Sequence, residues 1–285
     1  GKARDRAFAN LSEKEIEFLY GQSPNLCRQM VKHIYIHAYK DTLQANLTLL
    51  NLQSKVDFDA LYEGAAILIS LLDNSNVEHM AKVFAKAKGN MTVDGVDGKV
   101  LLSAESEYGT VLVGGKYKNS YSGSYAFVFD LGGEDTCENQ AAARKGHPIS
   151  VLIDNGGDDT YSGGDNSTAG ALAGYAMLLD VAGDDTYSGG SMSQGFGMYG
   201  VGALIDATGD DSYTAGEMVH GAALFGLGVL SDLDGADEYK AKLYAQGFGM
   251  TKGIGVIADV KGADSYSVTG AYPSTYGTKG EWHAM

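Results

Sequence analysis

The chain has 285 residues, 44% of them hydrophobic, with 40 glycines, 18 tyrosines, only 3 prolines and a formal net charge of −15. That charge excludes nucleic acid as a partner, because the phosphate backbone would be repelled, and it favours cations. No run of about 18 or more apolar residues occurs, so no membrane-spanning segment is expected.

Residues 1 to about 90 read as helical. Ser12-x-x-Glu15 ahead of Ile16, Phe18 and Leu19 fits a capping box and predicts a short helix near residues 12 to 21, ended by Gly21. Ser23-Pro24 then predicts a second helix, with Cys27, Met30, Val31, Ile34 and Ala38 at three- and four-residue steps. His33 and His37 share a face of it, the spacing of helical metal sites, but no glutamate completes H-E-x-x-H and no third ligand is near. A solvated or interface pair is the plainer reading. Asp57 to Leu72 and Asn76 to Lys88 read as two more helices, the first apolar on most sides and in need of a surface to bury against. Basic residues at Lys2, Arg4 and Arg6 precede no hydrophobic signal region, so any export signal is expected to have been removed or never present. Cys27 and Cys137 make neither a metal-binding spacing nor a disulfide framework.

From Gly89 the composition turns to glycine, tyrosine, aspartate and β-branched residues. The expected layout is an α-helical domain over 1–90 that packs on or caps the rest, repeats over 91–270, and a C-terminal cap or tail over 271–285. Leu112 to Tyr121 reads as an imperfect first coil, and Asn139 to Arg144 as a loop or short helix carried on one coil.

One phrase, D-x-x-G-x-D-x-Y, then recurs after an apolar run: Asp154-Gly157-Asp159-Tyr161, Asp180-Gly183-Asp185-Tyr187, Asp206-Gly209-Asp211-Tyr213, Asp232-Gly235-Asp237-Tyr239 and Asp259-Gly262-Asp264-Tyr266. Asp130-Gly133-Asp135-Cys137 is a degenerate copy. The leading aspartates lie 24, 26, 26, 26 and 27 residues apart, the mark of an array of stacked units. Two residues before each leading Asp stands a column of Leu152, Leu178, Leu204, Leu230 and Ile257, and two before that a small column of Ser150, Ala176, Gly202, Gly228 and Gly255. Like residues at like positions, with alternating side-chain direction, predict a mainly β fold: a parallel β-helix, or solenoid, of about 26-residue coils, with the leucines inside.

The opposite parity, Ile149, Val151 and Ile153 in one coil and Met177 and Leu179 in the next, is apolar too, so something must cover that outer face. The amino-terminal helices are one candidate; a protein partner or self-association is the other.

Stacked coils place the aspartates in two columns whose charges need compensation, either by backbone N–H groups in Asx turns or by cations. Segments such as Gly156-Gly157-Asp158-Asp159-Thr160-Tyr161 and Gly183-Asp184-Asp185-Thr186-Tyr187 resemble the nonapeptide of RTX-type calcium-binding β-roll proteins, over about six residues per coil. The resemblance implies calcium ligation by Asp159, Asp185, Asp211, Asp237 and Asp264, and with the leading Asp154, Asp180, Asp206, Asp232 and Asp259 these ten are the candidate Ca2+ ligands.

A polar column, Gln194, His220 and Gln246 with Thr168 or Ala169 near the equivalent place, reads as an interior ladder. His220, close to Glu217, is the weak catalytic candidate if that face is a groove. No catalytic constellation stands out. A non-enzymatic exported or surface β-solenoid, a structural or binding module in extracellular, cell-surface or periplasmic surroundings, is the first reading. The alternatives are a polysaccharide lyase or hydrolase acting on carbohydrate, with Arg144, Lys145 and Lys240 as scattered cations for uronates, and a subunit of a larger assembly.

Overall fold

Each regular coil is built from three short strands, and the corners fall where the sequence places its glycines and aspartates. In the computed structural model, which describes residues 1–35 and 43–270, one coil runs through Tyr175–Asp180, Thr186–Ser188 and Gly197–Met198, and the next through Val201–Asp206, Ser212–Thr214 and Ala223–Leu224. Pairing between coils is parallel and in register, with Leu178 against Leu152 and Leu204, and Asp180 against Asp154 and Asp206. Three sheets result: a long sheet ending in the leading aspartates, a sheet carrying the tyrosines, and a three-stranded short sheet. Val100–Ser106 closes one end of the long sheet by pairing antiparallel with Gly109–Gly114, and Val96–Asp97 does the same for the tyrosine sheet against Ser120–Tyr121.

Rungs stack almost without rotation. The rings of Tyr161, Tyr187, Tyr213, Tyr239 and Tyr266 follow one another at 4.8, 4.7, 4.8 and 4.6 Å with interplanar angles of 8, 4, 4 and 8°, against a twist of roughly 20–25° between neighbouring strands in ordinary sheets. Inside the solenoid this tyrosine ladder packs on the ladder of Leu152, Leu178, Leu204 and Leu230, all buried. The small column has a steric cause: a Cβ on Gly202 would stand 2.1 Å from the Phe196 carbonyl oxygen and 2.4 Å from that of Ala169, so the coil closes there by backbone contact.

The other parity of the long sheet faces five helices: α1 (Lys2–Ala7), α2 (Glu13–Tyr35), α3 (Leu43–Leu52), α4 (Phe58–Ile69) and α5 (Asn74–Phe84). Ile149, Val151, Ile153, Met177, Leu179 and Val201 share one buried core with Phe8, Leu19, Leu49, Leu61 and Leu72. Each such side chain contributes about 1.5–3 kcal/mol on burial. Two phenols pin the layers together, Tyr175 donating to the Leu61 carbonyl at 2.9 Å and Tyr199 to that of Leu49 at 2.8 Å. The apolar face expected to accept helices or a second copy is thus occupied by the chain's own helices.

The helical segment differs from expectation chiefly in α2, and α1 and α3 are helices beyond those singled out in the sequence. The helices expected on either side of Gly21 and Ser23-Pro24 are one continuous α2, with Pro24 inside it. Proline removes a backbone donor and costs about 3 kcal/mol in a helix interior, but Leu19, Leu26 and Cys27 on both sides of it are buried, and one unbroken stripe delivers all three to the core. The capping box is present, Ser12 N–H donating to Glu15 Oε2 at 2.9 Å and Glu15 N–H to Ser12 Oγ at 3.4 Å. Asp57 caps α4 by accepting from Ala60 N–H at 3.0 Å, and Asp73 caps α5, which begins two residues before the expected Asn76. Asn139 to Arg144 is a loop rather than a helix. His37, like Trp282 and His283, lies outside the described residues, and so does the His33–His37 pair as a unit. Among the described residues no helix is long and apolar enough to cross a membrane.

Candidate metal centre

The leading aspartate of each repeat ends a long-sheet strand on the interior parity, and the corner that follows turns it inward. Asp154, Asp180, Asp206 and Asp232 are fully buried. One oxygen closes an Asx turn, accepting at Asp130 from Gly132 N–H (2.8 Å), at Asp154 from Gly156 N–H (3.2 Å) and at Asp180 from Ala182 N–H (2.9 Å). The other accepts from the tyrosine of the preceding coil: Tyr161 to Asp180 (2.5 Å), Tyr187 to Asp206 (2.6 Å) and Tyr213 to Asp232 (2.8 Å), with Tyr121 bonded likewise to Asp130.

The second aspartate works between coils. Its Oδ1 accepts the backbone N–H of the second aspartate one coil earlier: Asp159 from Asp135, Asp185 from Asp159 and Asp211 from Asp185, each at 2.6 Å, and Asp237 from Asp211 at 2.8 Å. The carboxylates thus take over the N–H side of the inter-coil ladder at this corner, while the carbonyls of Asp135, Asp159, Asp185 and Asp211 accept from backbone N–H groups of the next coil.

What the ladders leave over is the chemically informative part. Asp135 Oδ2, Asp154 Oδ2, Asp185 Oδ2, Asp206 Oδ1, Asp211 Oδ2, Asp232 Oδ1 and Asp237 Oδ2 are buried and have no hydrogen-bond partner. Carboxylate oxygens converge in five triads within 4.8 Å: Asp130, Asp135 and Asp154; Asp154, Asp159 and Asp180; Asp185, Asp206 and Asp211; Asp211, Asp232 and Asp237; Asp237, Asp259 and Asp264. All ten aspartates named from the repeat fall in these triads. Asp130 and Asp135 were missed as ligands because Cys137 replaces the tyrosine of their copy, although both carboxylates survive.

The donor set is oxygen only, which suits a hard cation, and a 4.8 Å span between ligand atoms is about twice a Ca–O distance of 2.3–2.6 Å. Burial is the leading cause of raised carboxyl pKa values here: it pushes Asp185 and Asp211 up to about 7 and Asp206 to about 9, neighbouring carboxylates adding to the shift, and lifts Asp154 and Asp180 well above the ordinary range. Bare negative charge is therefore unstable in this corner, and either cations or protons must neutralise it.

His220 lies inside the solenoid rather than on a groove. It is fully buried, meets Tyr213 and Tyr239 edge-on at 6.5 and 6.0 Å, and neither ring nitrogen has a partner. Burial pulls its pKa down to about 4, which keeps it neutral. Glu217 is bonded to Ser191, so it supplies no orienting carboxylate to His220. Thr168, Gln194, His220 and Gln246 share positive φ values of 46, 51, 52 and 58°, which makes them one column, and Gln194 Nε2 bridges Tyr187 and Thr214 carbonyls at 3.1 and 3.2 Å. The cations considered for uronates are already engaged: Lys145 with Glu17 (2.6 Å), Lys240 with Glu238 (2.5 Å), and Arg144 with Ser124 (2.5 Å).

No protein-family model, no curated protein and no solved structure matches the chain.

Proposed function

We propose that this chain is a non-enzymatic, exported or surface-located β-solenoid that serves as a structural or binding module, its interior corner held together by calcium ions between the two aspartate columns. The observation that carries this reading is the set of buried, partnerless carboxylate oxygens that repeats from coil to coil. Five divalent ions in the five triads carry ten positive charges against twelve carboxylates, close to the neutrality a buried site requires. Calcium suits the sites better than magnesium, which keeps several waters and near-octahedral geometry that the four fully buried triads have little room for. The strongly acidic composition and calcium-rich surroundings outside the cell support the location. His220 is sealed inside, and Lys145 and Lys240 are held by Glu17 and Glu238, so neither the histidine nor these two cations favours polysaccharide chemistry.

Metal analysis of the purified chain, with calorimetry in calcium and in a chelator, tests the proposal. Each site held at 100 times its Kd adds about 2.7 kcal/mol of stability, so chelation should lower the Tm substantially and calcium should restore it. A second reading has its own support, since raised pKa values let carboxyl pairs share protons instead. An unchanged Tm with no bound metal would establish that reading and overturn the first.

A further inference from the structure

The last triad differs from the other four. Every carboxylate of the first four is buried, whereas in Asp237–Asp259–Asp264 only Asp237 is. Among the described residues Ile254–Asp259 and Ser265–Val268 are the edge strands of their sheets, while antiparallel strands close the opposite end.

Hydrogen bonding also changes register here. Tyr161, Tyr187 and Tyr213 each donate to the leading Asp of the following coil, a rule that assigns Asp259 to Tyr239. Instead Tyr266, 47% exposed, turns back onto Asp259 Oδ2 at 2.5 Å. The buried Tyr239 hydroxyl lies beside both Asp232 and Asp259 without a well-formed hydrogen bond to either, and Asp237 Oδ2 is left without a partner. The terminal triad thus combines an unpartnered buried oxygen, that of Asp237, with a carboxylate held by a hydroxyl at the solvent boundary.

We infer that Asp237, Asp259 and Asp264, at the last described coil of the solenoid, form an exchangeable site for a hard divalent cation, while the four interior triads trap their ions as the chain folds. The inference rests on the cation reading above. An ion reaching Asp259 and Asp264 from solvent displaces only the Tyr266 hydroxyl, and Asp259 is then free to accept from Tyr239, which restores the register of the earlier coils. Ions in the interior triads leave only when rungs joined along three sheets separate, an event that belongs to the high-energy end of local opening.

Terbium, which occupies oxygen-ligand calcium sites and emits when a nearby tyrosine is excited, reads the site through Tyr239 and Tyr266. Titrating the full chain should give emission within the mixing time, reversed by calcium, while most calcium survives a brief chelator wash. Asp264→Asn should weaken terbium binding at least about tenfold and leave the retained calcium unchanged, whereas Asp184→Asn at an exposed corner should alter neither. Tyr266→Phe, which keeps the ring stack and releases Asp259, should tighten terbium binding. Unaltered binding in Asp264→Asn and Tyr266→Phe, or loss of all calcium in a single chelator phase, would overturn the exchangeable site alone. Absence of both calcium and terbium emission in the unmodified chain would bring down the cation reading with it.

Discussion

Asp211 belongs to two carboxylate triads at once, so replacing it by asparagine separates the effect of charge from that of cation binding. With cations stripped, it faces like groups one rung away on either side, where the stacked rings of Tyr187, Tyr213 and Tyr239 mark rung spacings of 4.7 and 4.8 Å. Each ionised neighbour at that distance costs about 3–4 kcal/mol at an effective dielectric near 20, and partial protonation reduces the cost. Asparagine keeps Oδ1 in place to accept from Asp185 N–H and puts an NH2 where the partnerless Oδ2 stood, able to donate to Asp206 or Asp232. In a chelator, Asp211→Asn should therefore stabilise the fold by about 1–3 kcal/mol. In calcium the sign reverses, because both triads lose an anionic ligand; at about 2.7 kcal/mol per saturated site, a loss of about 3–5 kcal/mol is expected. Urea unfolding at neutral pH, followed by near-UV circular dichroism of the tyrosine stack, measures both. A shift of the same sign in the two conditions would refute the reasoning.

The pH dependence follows from the same groups. Burial raises the folded carboxyl pKa of Asp185 from 3.8 to about 7 and of Asp206 to about 9, so the folded state holds protons that the unfolded chain releases. That stabilisation is complete below about pH 4 and is lost as the pH rises through about 7 to 9. In a chelator the Tm should fall across that window, and calcium should flatten the fall; a Tm that rises with pH in chelator contradicts the buried carboxyl column. Leu204→Ala, in the middle of the interior ladder, should cost about 2–5 kcal/mol in denaturant unfolding, and a loss under 1 kcal/mol would mean the leucine column is not core. Tyr199→Phe removes the bond to the Leu49 carbonyl at a cost of about 1 kcal/mol; hydrogen exchange in α3 should quicken while the solenoid strands keep their protection.

Much of the coil was legible because stacking forces like residues onto like positions. The Leu152 to Ile257 column identified the interior, and the apolar parity of Ile149 and Met177 identified a face in need of cover, since a strand in water would alternate. The use of the aspartates was not legible. Tyr187 and Asp206 are 19 residues apart, and Asp185 and Asp211 are 26 apart, so these bonds exist only once coils stack, and no local pattern encodes which carboxylate oxygen is left over. Non-glycine residues at positive φ hid a second corner: Ala173, Tyr199 and Phe225, at 50, 49 and 50°, turn the chain and send their side chains into the helical core, where glycine would be the expected signal. The continuous α2 was obscured because Pro24 obeys a local rule that tertiary burial overrides.

Rungs that stack with so little rotation carry no internal instruction to stop. A twisted sheet changes its outline with every added strand, but here each coil repeats the last, and a further copy would fit as well as the one before. Length must be set from outside. The first outer-face position of successive coils, in register, is Ile149, Tyr175, Val201, Leu227 and Ile254; the first three are buried under the helices, Leu227 is half-buried and Ile254 is 55% exposed. The helical layer acts as a ruler: it gives cover to about as many coils as it is wide, and the coil that outruns it pays by leaving isoleucine in water. Adding a repeat without widening that layer would lengthen the ladder while leaving its new face bare.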